Sequence, residues 1–223
     1  MALTFKPILD ILPKPQRTLW DELAAIPGEF VLYGGTAIAL QLAHRQSIDF
    51  DFFADQPIDP FRLEAAVPFM AGARIINRDK NTLTGIIDRG GPVAISFFGL
   101  PALRRLAPAL ISPDNGIKIA SLLDLAGMKV SVVQARAEAK DYLDLDALMT
   151  RAGIDLPTAL AAGREIYGKS FNPQITLKAL SYYHDGNLDQ LPEETKRRLA
   201  FAARDVDLDS LPAVGDSSDQ SAH

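Results

Sequence analysis

Cysteine is absent and histidine occurs only at His44, His184 and His223. The first absence excludes a disulfide framework and any thiolate metal site, and the second leaves too few imidazoles for a zinc cluster. No apolar run approaches the roughly 20 residues that a membrane-spanning helix needs. The opening MALTFKPILDILPKPQ also lacks the pattern of a secretory signal. A cytoplasmic chain with no membrane partner is therefore expected. Charge is short of basic residues only at one end. After Arg204 come Asp205, Asp207, Asp209, Asp216 and Asp219 with no Lys or Arg, and without these five the acids equal the 23 bases. The body is neutral and the acidic, Ser-rich ending over 205–223 reads as disordered. A neutral body can still carry a local basic face, so an RNA partner stays open.

What is present divides into two kinds of sequence. Up to Ser112 the chain alternates between helix and strand signals. A helix is expected from about Gln16 to Ala25, and another from Asp59-Pro60 through Leu63, Val67 and Met70. Strands are expected over Ala73–Asn77, Thr82–Asp88 and Val93–Phe98, the last two joined by Arg89-Gly90-Gly91. From Pro113 the periodicity turns helical, over Ser121–Arg136, Ala139–Arg151, Leu156–Tyr167, Asn172–Tyr183 and Glu193–Arg204. The expected fold is α/β: a mixed sheet with flanking helices over 1–112, followed by a helical region over 113–204 that packs on it and completes the site.

The chemistry concentrates between Phe30 and Phe53, FVLYGGTAIALQLAHRQSIDFDFF. Val31, Leu32 and Tyr33 form a strand that stops at Gly34-Gly35, where backbone angles closed to other residues are available. Thr36 is expected to cap the helix that follows. Ile48 to Phe53 alternates with period two, which puts Asp49 and Asp51 on one face, about 6.5 Å apart along the strand. Two carboxylates that close repel, and a divalent cation relieves the repulsion. Backbone N–H groups at the glycine turn and the helix N-terminus suit phosphate. Arg45 and Ser47 flank the pair and are candidates for phosphate contact or for setting the entry to the strand.

A second candidate group lies on two later helices. Lys129 falls inside the stripe of Leu122, Leu125, Val132 and Val133, and Asp141 stands four residues before Leu145 and seven before Leu148. A charged residue on an apolar stripe must pair, snorkel or lose its charge. A structural ion pair and a shared cleft wall both satisfy that pattern. Lys140 and Asp144 read as solvated helix charges, and the tyrosines at 182 and 183 read as core or as a stacking surface.

Gly34-Gly35-Thr36 followed by Asp49-x-Asp51 resembles the signature of the polymerase-β-like nucleotidyltransferases. The fuller string GGTAIALQLAHRQSIDFDFF with MKVSVVQARAEAKDYLDL is similar to the AbiEii/AbiGii family of abortive-infection toxins, over about Gly28 to Tyr183. The resemblance implies transfer of a nucleoside monophosphate from an NTP to an acceptor hydroxyl. It further implies Mg²⁺ (or Mn²⁺) held by Asp49 and Asp51, and phosphate contacts from Gly34, Gly35, Thr36, Arg45 and Ser47. Lys129 and Asp141 match the family's further functional Lys and Asp. A tRNA acceptor and a cognate antitoxin protein are implied as partners. One departure stands out: the strand Val93–Phe98 carries no third carboxylate, and Ser96 occupies the place where a general base is often found. Two alternatives follow, a nucleotidyltransferase fold kept for binding or regulation, and an enzyme acting on a small-molecule hydroxyl. Asp88 is the substitute carboxylate if its strand end folds toward the pair.

Overall fold

The computed structural model describes residues 3–214. Two compact units emerge, one from residues up to Leu103 together with Pro108–Ser121, the other from Arg104–Ala107 and the chain from Leu122 on.

The first unit is built on a seven-stranded mixed sheet. In chain order its elements are α1 (Lys14–Leu19), β1 (Val31–Tyr33), α2 (Gly34–Leu42), β2 (Asp49–Ala54), α3 (Pro60–Ala66), β3 (Arg74–Asp79), β4 (Thr82–Asp88), β5 (Pro92–Gly99), β6 (Leu110–Ile111) and β7 (Lys118–Ile119). The sheet order is β3-β4-β5-β2-β1-β7-β6, so the strand carrying both aspartates is central. It runs antiparallel to β1 and parallel to β5. Period-two alternation explains the layering: Phe50, Phe52 and Ala54 are fully buried while Asp49, Asp51 and Phe53 are not. On the buried face Phe52 stacks on Phe97 at 5.6 Å, Phe30 meets Phe97 edge-on at 5.2 Å, and Trp20 closes on Phe50 at 6.5 Å. Burying this aromatic cluster is the main force holding β2 in register, because a one-residue slip would send the phenylalanines outward.

The expected helix over Gln16–Ala25 is α1 followed by a 3-10 turn at Trp20–Ala25, and the one beginning at Asp59-Pro60 is α3 followed by a 3-10 turn at Pro68–Met70. Asp59 caps α3, accepting from the backbone N–H groups of Phe61 and Arg62. The expected glycine hairpin joins β4 to β5. Asp88 is not the substitute carboxylate: it sits at that hairpin, opposite Pro92, and accepts from the N–H groups of Gly90 (2.9 Å) and Gly91 (3.0 Å).

The second unit contains α4 (Leu122–Ala135), α5 (Ala139–Ala152), α6 (Leu156–Tyr167), α7 (Pro173–Ala179) and α8 (Glu193–Arg204). α4 and α6 approach closely because Gly127 faces the backbone of Ala162, where a Cβ would come within 2.9 Å. Arg198 on α8 grips Asp146 on α5 with two hydrogen bonds of 2.8 and 2.7 Å. The entry to α5 is capped from a distance: Asn187 accepts from the N–H of Ala139 (2.7 Å) through its side-chain oxygen and donates its own backbone N–H to the carbonyl of Ala137. Gly186, at φ +55°, lies so close to the Ala137 carbonyl that a side chain there would collide with it. Of the acidic ending, Leu208–Ser210 forms one 3-10 turn, and 215–223 lie outside the described residues.

Candidate functional site

Gly34, Gly35, Thr36, Arg45, Ser47, Asp49 and Asp51 all belong to the first unit, and the structure shows why these residue types stand there. Tyr33, the last residue of β1, pairs with Asp51, so the chain turns at Gly34 directly beside the carboxylate. Gly34 has φ +73°, and a Cβ there would stand 2.8 Å from Asp51 Oδ2. Gly35 leaves room for the Arg45 guanidinium and for Ser47 Oγ, which would be 3.1 Å from a Cβ. The two glycines therefore form the floor of a cradle whose walls are Asp51, Arg45 and Ser47.

Thr36 is not the cap of α2. Tyr33 is the N-cap of α2, and Thr36 lies inside the helix, buried, with its hydroxyl donating to the Asp49 carbonyl at 2.5 Å. Gln16, also buried, donates to the carbonyl of Ile48 at 2.7 Å. The backbone at the start of β2 is thus fixed from two sides, and Asp49 inherits that placement. Ser96 is in register with Asp51 on the neighbouring strand β5 and is hydrogen-bonded by Thr84 at 3.3 Å. Among the described residues no three of His, Cys, Asp and Glu group as a metal site. The Asp49–Asp51 pair nonetheless fits Mg²⁺, which keeps several waters and takes one or two carboxylates with substrate phosphates completing its shell. At Gly34 only hydrogen stands between the backbone and Asp51 Oδ2, so the carboxylate lies directly against the turn.

Replacing Gly34 with alanine is expected to cost about 1–2 kcal/mol from the left-handed backbone alone and to push the Asp51 carboxylate aside. Chemical denaturation checks the first effect, and Mn²⁺ titration of the variant checks the second. Unchanged values in both would show that the close approach is without consequence.

Lys129 and Asp141 belong to the second unit, where they meet. Lys129 Nζ lies 2.7 Å from Asp141 Oδ1 and 2.6 Å from Asp144 Oδ2. Arg136 adds two bonds to Asp141, from Nε at 2.7 Å and Nη2 at 3.1 Å. Asp141 and Asp144 are fully buried. The reading of Asp144 as solvated is therefore corrected: it is i+3 from Asp141, on the same face of α5, and that spacing is the signal in the sequence. Lys140 does lie at the surface, paired with Glu138 at 2.9 Å. Burial pushes the Asp141 carboxyl up, but the Arg136 hydrogen bonds and the Lys129 charge outweigh it and hold its pKa below the usual carboxylate range. The result is a charge-compensated cluster, buried at Lys129, Asp141 and Asp144 and open to solvent at Arg136, in which the ammonium, with three donors, has given two to carboxylates. No described helix is long and apolar enough to cross a membrane.

A family model described as the nucleotidyl transferase AbiEii toxin of a type IV toxin–antitoxin system matches residues 17–217. The uncharacterized protein aq_aa25 of Aquifex aeolicus (strain VF5) is 32% identical over 182 residues, covering 78% of this chain and 84% of its own. Among solved structures, MenT4, a nucleotidyltransferase toxin of Mycobacterium tuberculosis H37Rv, superimposes with a TM-score of 0.56 at 16% identity. That alignment covers 88% of this chain and 87% of the other. This last likeness is one of fold, and it matches the α/β architecture described above.

Proposed function

From the premise that the chain belongs to the AbiEii nucleotidyl transferase toxin family, we propose that it transfers a nucleoside monophosphate from an NTP to a hydroxyl of tRNA, as the toxin of a toxin–antitoxin pair. The single observation that carries this reading is the cradle in which the Asp51 carboxylate stands against a glycine turn that opens a nine-residue helix. The acceptor oxygen forms a bond to the α-phosphorus, the α–β phosphoanhydride bond breaks, and pyrophosphate leaves. The hydroxyl proton passes to water, since the strand beside Asp51 offers Ser96 rather than a carboxylate base.

Asp49 and Asp51 are the residues that hold Mg²⁺, or Mn²⁺ in its place. When bound, the metal supplies charge neutralisation on the phosphates. Backbone N–H groups at Gly34 and Gly35, at the positive end of α2, bind and orient phosphate oxygens. Arg45 and Ser47 add a cation and a hydroxyl beside them. Thr36 acts through Asp49, by fixing its backbone. In the second unit Asp141 positions the Lys129 ammonium, the cation that the family resemblance assigns to phosphate. The cognate antitoxin is the partner, and the cytoplasm is where NTP and tRNA meet the chain.

The register of Ser96 with Asp51 favours one second reading, a fold retained for nucleotide binding without turnover. Incubating the purified protein with Mg²⁺, each α-labelled NTP in turn and total tRNA separates the two. Label on RNA that EDTA abolishes is the expected result and names the nucleotide. Label in a small-molecule pool would overturn the acceptor. NTP binding with no labelled product would establish the second reading.

A further inference from the structure

A cavity of about 240 Å³ opens in the second unit, lined by the last turn of α4, by Tyr142 of α5, and by Ala179, Tyr182 and Asp185 at and beyond the end of α7. Two flat groups stand in its wall. The Arg136 guanidinium is held in one plane by its paired bonds to Asp141. Tyr182 is 51% exposed, its ring edge-on to His184 at 5.3 Å. The adjacent Tyr183 does the opposite: its hydroxyl is tied to the carbonyls of Leu180 and Lys196, and its ring packs on buried Tyr142. Of the two consecutive tyrosines, one is core and the other is a presented surface. An exposed phenol ring in one wall with a fixed guanidinium suits stacking of a further planar group.

Gln134 and Tyr142 also line the cavity, with their donors committed to the Asn172 carbonyl and Thr176 hydroxyl and to the Ala179 carbonyl. The acceptors left for a ligand include the Asp185 carboxylate and the C-terminal end of α4, where the helix carries its partial negative charge. The Asp185 charge reaches the floor, where burial first, then Asp141 and Asp185, push the Tyr142 phenol up to about 12. A carboxylate or phosphate set against Asp185 would be repelled by it, and an aliphatic group would leave the acceptors unmatched. A neutral planar ring with N–H donors on its edge answers both features.

We propose that this cavity seats a nucleobase carrying an amino group (adenine, cytosine or guanine), stacked against Tyr182 and Arg136 with its exocyclic amine donating to Asp185 or to the end of α4. The base comes from the NTP or from a single-stranded stretch of the RNA acceptor. The proposal rests on the nucleotidyl-transfer reading for the source of the base, and its test is binding without turnover.

The full chain, in EDTA, is titrated with each of the four NTPs and with fluorescein-labelled RNA octamers of A, C and U, following anisotropy for the octamers and heat for the NTPs. Tyr182→Ala is expected to weaken one of these ligand sets about tenfold, the scale of a lost base–aromatic stack, while Tyr182→Phe stays within about twofold. The set that responds identifies the source. Within that set the uracil ligand binds more weakly than the adenine and cytosine ligands. The proposal is overturned if Tyr182→Ala binds every ligand as the parent does, if uracil binds as tightly as the amino-bearing bases, or if nothing binds. Labelled transfer is scored separately. Tyr182-dependent binding with no transfer would remove the enzyme reading and leave the cavity standing, and transfer with Tyr182-independent binding would do the reverse.

Discussion

Replacing Asp51 with asparagine is expected to lower nucleotidyl transfer by about a thousandfold, or roughly 4 kcal/mol of transition-state stabilisation. Asparagine keeps the shape of the side chain and its place on central β2, so the aromatic cluster on the opposite face of the sheet is untouched. What it removes is half of the negative charge that pairs with a divalent cation. Midpoint and slope of urea unfolding should therefore match the parent, while Mn²⁺ affinity falls and NTP affinity measured without metal does not. Steady-state label incorporation with saturating tRNA is the deciding measurement. If the Asp51→Asn variant transfers nucleotide within about tenfold of the parent, the carboxylate pair is not the metal site.

Asp141→Ala is expected to destabilise the second unit by about 1–3 kcal/mol, because it leaves buried Lys129 with one carboxylate and Arg136 without its paired acceptor. Asp141 is fully buried and answers both Lys129 and Arg136. Asp144 stays with Lys129 in the variant, but the two Arg136 bonds have no replacement of equal geometry. The pH dependence has a definite sign. The folded-state pKa of Asp141 lies below its unfolded value, so its stabilisation is complete above the ordinary carboxylate pKa of about 4. It declines as pH falls through the folded value. Urea titrations of parent and variant should show the full gap at about pH 7 and a narrowing gap below about pH 4. A gap that stays constant to about pH 3 would mean that the charge of Asp141 contributes nothing.

Local spacing made much of this legible from sequence. The Asp49–Asp51 face follows from strand period alone, and the glycine pair from its position at a strand end. The same holds for Lys129 and Asp141, whose places on apolar stripes mean that each must pair, snorkel or lose its charge, and the structure pairs them. Features set by distant backbone were not legible. Thr36 looks like a cap because it follows glycines before an apolar run, but the helix begins earlier and its hydroxyl answers a carbonyl thirteen residues away. Strands β6 and β7 are two residues each, too short for any alternation to register, yet β7 pairs with β1 and extends the sheet. Arg136 stands just past the end of α4, and only the fold shows that it returns to Asp141.

The cap on α5 also orders events during synthesis. Asn187 completes the first turn of a helix that begins 48 residues earlier at Ala139, and Gly186 lets the two segments touch. When Asp141 leaves the ribosome, Lys129 and Arg136 are already out, so the ionic cluster can assemble from local chain. The turn that carries it stays open at its N-terminal end until Asn187 has followed, after α6 and α7 have had time to form. Asp141 is therefore placed early and locked late, and a chain interrupted before Gly186 would hold the charges without the clamp.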